Sequence, residues 1–238
     1  MPPEPAATPV PAWPYEHKLL IALGVAMLLS CIGAPYPDQM YLQHSPTVFL
    51  LFILPWITRL FPLSRASFTC FIAFMFLHTL GARYIYSYVP YDDWCQSLMG
   101  FRPTEAFHFR RNHYDRFVHL SFGLLWTLPA WEILTRYGRL RAKAARYFAI
   151  EFILAASILY ELFEWGLTLV LSPHDAGEYN GQQGDFWDSQ KDVTFALIGS
   201  FITTGLLSWQ NRHATPASPA PLPDNIVEFP IDPSPDRQ

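Results

Sequence analysis

Six stretches of the chain stay apolar for longer than a water-facing element would, and short polar segments separate them. They are KLLIALGVAMLLSCIGA (18–34), SPTVFLLFILPWITRL (45–60), ASFTCFIAFMFLHTLGARYIYSY (66–88), YDRFVHLSFGLLWTLPAWEILT (114–135), YFAIEFILAASILYELFEWGLTLVL (147–171) and QKDVTFALIGSFITTGLLSW (190–209). None alternates apolar and polar residues as a barrel strand does, and each approaches the roughly 20 residues with which a helix crosses hydrocarbon. The pattern predicts an all-α, polytopic membrane protein with six transmembrane helices packed as a bundle. The second stretch has only 16 residues by this cut and carries Pro55, so a kinked or tilted helix, or one that begins earlier, is expected there.

The bundle is expected over residues 18–212. Six of the 22 prolines fall in residues 1–17 and seven in 213–238, which predicts extended, Pro-rich tails without a catalytic role. The opening MPPEPAATPVPAWPYEHK lacks a basic start, and no small-residue cleavage site follows, so no cleaved signal peptide is expected. No internal repeat stands out.

Lys and Arg positions orient the helices. The 136–146 segment, RYGRLRAKAAR, holds five positive residues and no acid, which places it in the cytoplasm. Arg59, Arg65, Lys18 and Arg212 fall on that side if both termini are cytoplasmic. The opposite side has segment 35–44 without Lys or Arg, and 172–189 with none and four acids. Segment 89–113 dissents, with Arg102, Arg110 and Arg111.

Composition fits this picture: 51% of the 238 residues are hydrophobic and only 15% charged, against about 25% charge in a soluble domain. The net charge of −4 and the lack of a basic stripe exclude nucleic acid as a partner. Cys31, Cys70 and Cys95 share no ligand spacing, and Cys31 and Cys70 lie in apolar windows as small hydrophobes.

The chemistry lies in the outer half of this arrangement. His78 falls in the third stretch, roughly 15 Å below its outer end at 1.5 Å per residue. Asp115 and His119 share a face of the fourth at i,i+4, Glu161 and Glu164 a face of the fifth at i,i+3, and Asp188 and Asp192 open the sixth at i,i+4. Acids and histidines facing lipid are costly, so one shared polar site explains them better than separate accidents. Carboxylates and imidazoles on facing helices suit a divalent metal: Zn, Mn or Fe, with Mg preferring more oxygen. The candidate metal ligands are His78, Asp115, His119, Glu161, Glu164, Asp188 and Asp192. His119, Glu161 and Glu164 are the candidate catalytic acid–base groups. Helix-to-helix ion pairs with Arg83, Arg111 or Arg116 are the competing reading of Asp115, His119, Glu161 and Glu164. Within GQQGDFWDSQKD (181–192), Asp188 is expected to cap the last helix, and Asp192 to face the cluster as a ligand or as the partner of His119. Glu132 and Glu151 lie near the basic 136–146 segment and are expected to pair with it.

NHYDRFVHLSFG (112–123), YELFEW (160–165) and GQQGDFWDSQKDVTFALIGS (181–200) together resemble the YjdF-like family (DUF2238) of uncharacterised bacterial inner-membrane proteins, over roughly residues 20–208. The resemblance implies a multi-pass protein of the bacterial inner membrane and no defined activity. Its matching polar positions are Asp115, His119, Glu161, Glu164, Asp185, Asp188 and Asp192. Where the family's usual form has an arginine before the Glu-Ile-Leu closing the fourth helix, this chain has Trp131. Asp115, Arg116 and His119 also match, more loosely, the first motif of VanZ-like membrane proteins, which implies envelope or lipid-linked substrates.

Three functional classes follow. One is a metal-dependent hydrolase or transferase acting on a membrane lipid or lipid-linked envelope substrate. A small proton-coupled transporter and a non-enzymatic accessory membrane protein are the alternatives.

Overall fold

A computed structural model describes residues 15–172 and 179–213; most of both Pro-rich tails, and Asp175 and Glu178 of the 172–189 segment, lie outside the described residues. Eight helices are present among them: α1 Tyr15–Cys31, α2 Pro37–Leu60, α3 Arg65–Arg83, α4 Tyr91–Met99, α5 Pro103–Ala106, α6 Tyr114–Arg136, α7 Ala142–Leu167 and α8 Asp188–His213. α2, α3, α6 and α8 (to Gln210) are long and apolar enough to cross a membrane. α1 is short for a span at 17 residues. α7 has the length, 26 residues, but carries Glu151, Glu161 and Glu164 in its apolar run.

The outer surface of the bundle is apolar. Phe49, Phe52 and Trp56 on α2 recur along one helix face and are exposed, as are Phe201, Ile202 and Leu206 on α8 and Leu28 and Leu29 on α1. A soluble protein would bury such residues; a bilayer solvates them.

Several boundaries differ from the sequence reading. α2 begins at Pro37, eight residues before the apolar run, and accommodates Pro46 and Pro55 inside the helix. α3 ends at Arg83, five residues short of the apolar stretch. The chain there turns through left-handed Ile85 (φ 44) and Tyr86 (φ 56), with Tyr86 N–H donating to Gly81 O at 2.8 Å and Ile85 N–H to Ala82 O at 3.3 Å. These paired bonds are a Schellman termination, here with isoleucine at the position glycine usually fills. α7 begins inside the basic segment, at Ala142. Segment 89–113, read as a loop, folds into α4 and α5.

The core is the packing of α6 against α3, α7 and α8. α6 and α8 approach most closely where Gly123 meets Gly199. A Cβ at Gly199 would overlap Leu120 O and come 2.7 Å from Leu124 N, and one at Gly123 would overlap Ala196 O. Beside this crossing, Thr127 Oγ1 donates to Ser200 Oγ (2.9 Å) or to Gly123 O (2.6 Å), and Thr203 Oγ1 to Leu124 O (2.7 Å). Interhelical bonds of this kind contribute about 0.6 kcal/mol each in membrane proteins, so close backbone approach dominates the pairing. α1, α2 and α3 form an adjoining apolar core around Leu23, Leu54, Phe68 and Ile72.

Each end of the bundle is tied by hydrogen bonds. At the basic end, Glu132 accepts from Ser64 N (2.7 Å), Ser64 Oγ (2.6 Å) and Ser67 Oγ, and so braces the N-terminus of α3. Glu132 reaches Arg136 at 3.4 Å, whereas Glu151 bonds Tyr147 on its own helix rather than the basic segment. Tyr15 meets Thr69 at 2.6 Å, which brings the start of α1 to this end. At the other end, Arg83 donates to the carbonyls of Ser30, Ile32 and Gly33, which close α1. Arg83 is therefore a helix-end brace and takes no part in the acidic cluster.

Candidate functional site

The start of α6, the last turns of α7 and the start of α8 meet at the end opposite the basic segment. Asp115 and His119 come from α6, one turn apart; Glu161 and Glu164 from α7; Asp188 and Asp192 from α8. The Gly123–Gly199 crossing, one turn beyond His119, holds α6 and α8 close enough for these side chains to touch.

Asp115, His119 and Asp192 each offer a ligand atom within 4.8 Å of the other two. His119 Nε2 is 3.7 Å from Asp115 Oδ1 and 3.6 Å from Glu161 Oε1. His119 and Asp192 are buried, and Asp115 is nearly so. Two oxygens here lack a hydrogen-bond partner: Asp192 Oδ1 and Glu161 Oε1. Buried carboxylate oxygens are rarely left so, because desolvation costs several kcal/mol unless a proton, a donor or a cation compensates (about 2–7 kcal/mol even for a neutral group). Glu164 faces Asp115, Glu161 and Asp192, bonds Tyr160, and through it reaches Tyr179.

Asp188 departs from its expected role. Among the described residues no backbone N–H donates to it; its Oδ1 is held by Arg111 and lies 3.4 Å from Arg116 Nη2. The turn before α8 is organised instead by Asp185, whose Oδ1 accepts from Trp187 N at 3.1 Å. Asp185 also pairs with Arg116 and with Lys191 Nζ at 2.6 Å. Lys191 above all, then Arg116 and the Trp187 N–H, hold the Asp185 carboxyl below the usual range. Arg111 lies 3.8 Å from Asp115 Oδ2 and donates to Gln182 O at 2.8 Å. Arginine pairs thus hold Asp185 and Asp188, which the ion-pair reading did not name, while Asp115, which it did, is shared between the arginine network and the triad.

His78 stands apart. Its Nδ1 meets Tyr86 Oη, and its Nε2 lies 3.0 Å from Gln43 O, so both nitrogens are occupied. It lines a cavity of about 320 Å³ together with Asp115, His119 and Tyr160. Tyr86 reaches it because the turn after α3 folds back over Gly81, where a Cβ would come 2.8 Å from the ring. The rest of the cavity is apolar: Pro46 and Leu50 from α2, Phe74 from α3, Val118 and Phe122 from α6, Phe152 and Ala156 from α7. α2 and α7 both line it and share no extended contact among the described residues. Ser121 Oγ donates to Phe117 O at 2.7 Å within its own helix.

The sequence reading missed Tyr86 and Tyr179, the glycine crossing and the assignment of Asp188. Only the Arg111–Asp115 pair had a local signal, its i,i+4 spacing. Burial, then Arg116 and Arg111, lower the His113 imidazole below its ordinary value. Burial, then Glu164, raise the Tyr179 hydroxyl to about 12.

A family described as predicted membrane proteins (DUF2238) matches residues 15–213. The inner membrane protein YjdF of Escherichia coli (strain K12) is 30% identical over 190 residues, which cover 79% of this chain and 87% of that protein. No solved structure matches the chain significantly.

Proposed function

The chain belongs to the DUF2238 family of membrane proteins, and we propose that its function is metal-dependent chemistry on a lipid or lipid-linked substrate of the bacterial inner membrane. Six helices cross the bilayer: α1, α2, α3, α6, α7 and α8. Both termini and the basic segment are cytoplasmic, and α4 and α5 lie at the outer surface. The positive residues of 136–146 support this orientation.

The observation that carries the reading is the buried group of Asp115, His119 and Asp192, with Glu161 beside it and unpartnered oxygens on Asp192 and Glu161. One imidazole with carboxylates suits Zn, Mn or Fe better than Mg. A bound cation there would supply a Lewis acid. Glu161, 3.6 Å from His119, takes or returns a proton, with Glu164 beside it and bonded to Tyr160. The apolar cavity ending on Asp115 and His119 has the polarity of a lipid: an apolar shaft with a polar head.

The test is reconstitution into vesicles of bacterial envelope lipid with added Zn or Mn, and mass spectrometry of the lipids after incubation. Wild-type protein should convert at least one lipid species, and His119→Ala none. A lipid profile that neither protein changes would contradict the enzymatic reading.

A second reading, proton-coupled transport, draws on a different feature. Tyr179, Tyr160 and Glu164 form a hydrogen-bonded chain from the outer segment to the acidic cluster. Proton release into proteoliposomes that depends on Glu164 and needs no metal would favour it.

A further inference from the structure

A second pocket, of about 450 Å³, lies on the solvent side of the cluster and shares no lining residue with the apolar cavity. Its walls carry His108, Arg110, Arg111, His113, Arg116 and Lys191. Asp185 also lines it, while Asp188 and Asp115 stand behind Arg111 and Arg116. Four permanent cations therefore face three near carboxylates, which leaves the pocket positive when all are ionised.

Two of the cations are paired with those acids but keep spare N–H groups. The Arg111 side chain is only 5% exposed and that of Arg116 only 10%, yet Arg111 Nη2 and Arg116 Nε have no hydrogen-bond partner. Arg111 Nη2 faces Asp115 Oδ2 at 3.8 Å, beyond hydrogen-bond reach, and both guanidiniums line the pocket in positions fixed by neighbouring carboxylates, as a preorganised oxyanion site requires. Arg110 adds an exposed guanidinium at the rim and makes no ion pair among the described residues. The fork of an arginine matches phosphate oxygens in pairs, which a chloride ion or a neutral headgroup cannot reproduce.

We infer that this pocket binds a phosphate group, between the Arg111 and Arg116 guanidiniums and the Arg110 rim. The inference goes beyond the metal reading and does not depend on it. The phosphate could belong to a lipid headgroup at the outer surface or to a free anion, and the experiment separates the two.

Purified full-length protein in a zwitterionic detergent with EDTA is titrated with inorganic phosphate, dioctanoyl phosphatidic acid and dioctanoyl phosphatidylcholine, by microscale thermophoresis. EDTA removes any metal, so the outcome is separate from that of the metal site. Three variants accompany the wild type. Arg110→Gln removes the rim charge, and Arg116→Lys keeps the charge but removes the fork. Arg102→Gln alters a nearby outer arginine already paired with Asp93 and Glu105. The expected result is saturable binding of phosphate or phosphatidic acid and weaker binding of phosphatidylcholine. Arg110→Gln or Arg116→Lys should weaken it about fivefold, the scale of one partly exposed charge pair, and Arg102→Gln should leave it unchanged. Binding of both anionic probes identifies phosphate itself as sufficient; binding of phosphatidic acid alone identifies a lipid headgroup. Folded protein that binds neither probe overturns the inference, as do equal affinities in Arg110→Gln, Arg116→Lys and wild type, or equal losses in all three variants.

Discussion

Asp188→Asn should destabilise the protein strongly, whereas Asp192→Asn, one turn further along the same helix, should not. Asp188 sits in a buried ion cluster: its side chain and that of Arg111 are each 5% exposed, and Arg116 is 10% exposed. Removing the negative charge leaves two buried guanidiniums short of a partner, and breaking a buried pair in this way costs about 3–5 kcal/mol. Arg111 keeps Gln182 O at 2.8 Å and Asp115 at 3.8 Å, and Arg116 keeps Asp185, so the low end, about 3 kcal/mol, is expected. For a chain of this size that corresponds to a fall of roughly 6–12 °C in Tm. Asp192 is the opposite case. Its Oδ1 has no hydrogen-bond partner among the described residues, and it pairs with no arginine or lysine there, so an amide in its place breaks no ion pair. Without added metal, Asp192→Asn should match or exceed the wild-type Tm. Thermal melts in detergent followed by tryptophan fluorescence measure both. A shift below about 2 °C for Asp188→Asn, or an equal loss in the two variants, would refute this division of roles.

Gly199→Ala places a methyl group into the backbone of α6 at Leu120 and Leu124 and should cost about 3 kcal/mol or more, since neither helix backbone can yield as a side chain would; Gly205→Ala, where a Cβ meets nothing within 4 Å, is the control in the same melts. Asp185 contributes stability that is full above its unfolded value of 3.8 and is lost only as the pH falls through its depressed folded value. The Tm difference between wild type and Asp185→Asn should therefore be flat from about pH 7 to pH 5 and shrink only in stronger acid. A difference that already closes near pH 6 would contradict the pairing with Lys191 and Arg116. Glu132→Ala removes the acceptor for Ser64 N, Ser64 Oγ and Ser67 Oγ and should cost about 2 kcal/mol, with faster amide exchange confined to the first turn of α3.

The long helices were legible because hydrophobic runs of bilayer length have few other fates, and the shared faces of Asp115 with His119 and Glu161 with Glu164 followed from helical periodicity alone. What periodicity does not reveal is the partner across an interface. Asp188 reads as a helix cap from its position, yet the arginine that claims it, Arg111, is 77 residues away. Asp192 was legible as a partner of His119 because it lies one turn past the helix start, and the Gly123–Gly199 crossing brings α6 and α8 close enough for the two to meet. Gly123 and Gly199 went unread because a small residue inside an apolar run does not say which helix it admits. The end of α3 was illegible for a local reason: isoleucine and tyrosine rarely take positive φ, so nothing in ARYIYSY announces a turn. α4 was missed because its nine residues, YDDWCQSLM, are too short and too polar to register among spans.

The central claim is that Asp115, His119 and Asp192 hold one metal ion, and metal content tests it most directly. Wild-type protein, His119→Ala and Asp192→Asn are purified in detergent, loaded with Zn or Mn, desalted and measured by inductively coupled plasma mass spectrometry, with circular dichroism to establish that each is folded. The account predicts about one equivalent of metal per wild-type chain and a small fraction of that in either variant. Metal-free wild type, or variants that retain as much metal as wild type, would contradict it.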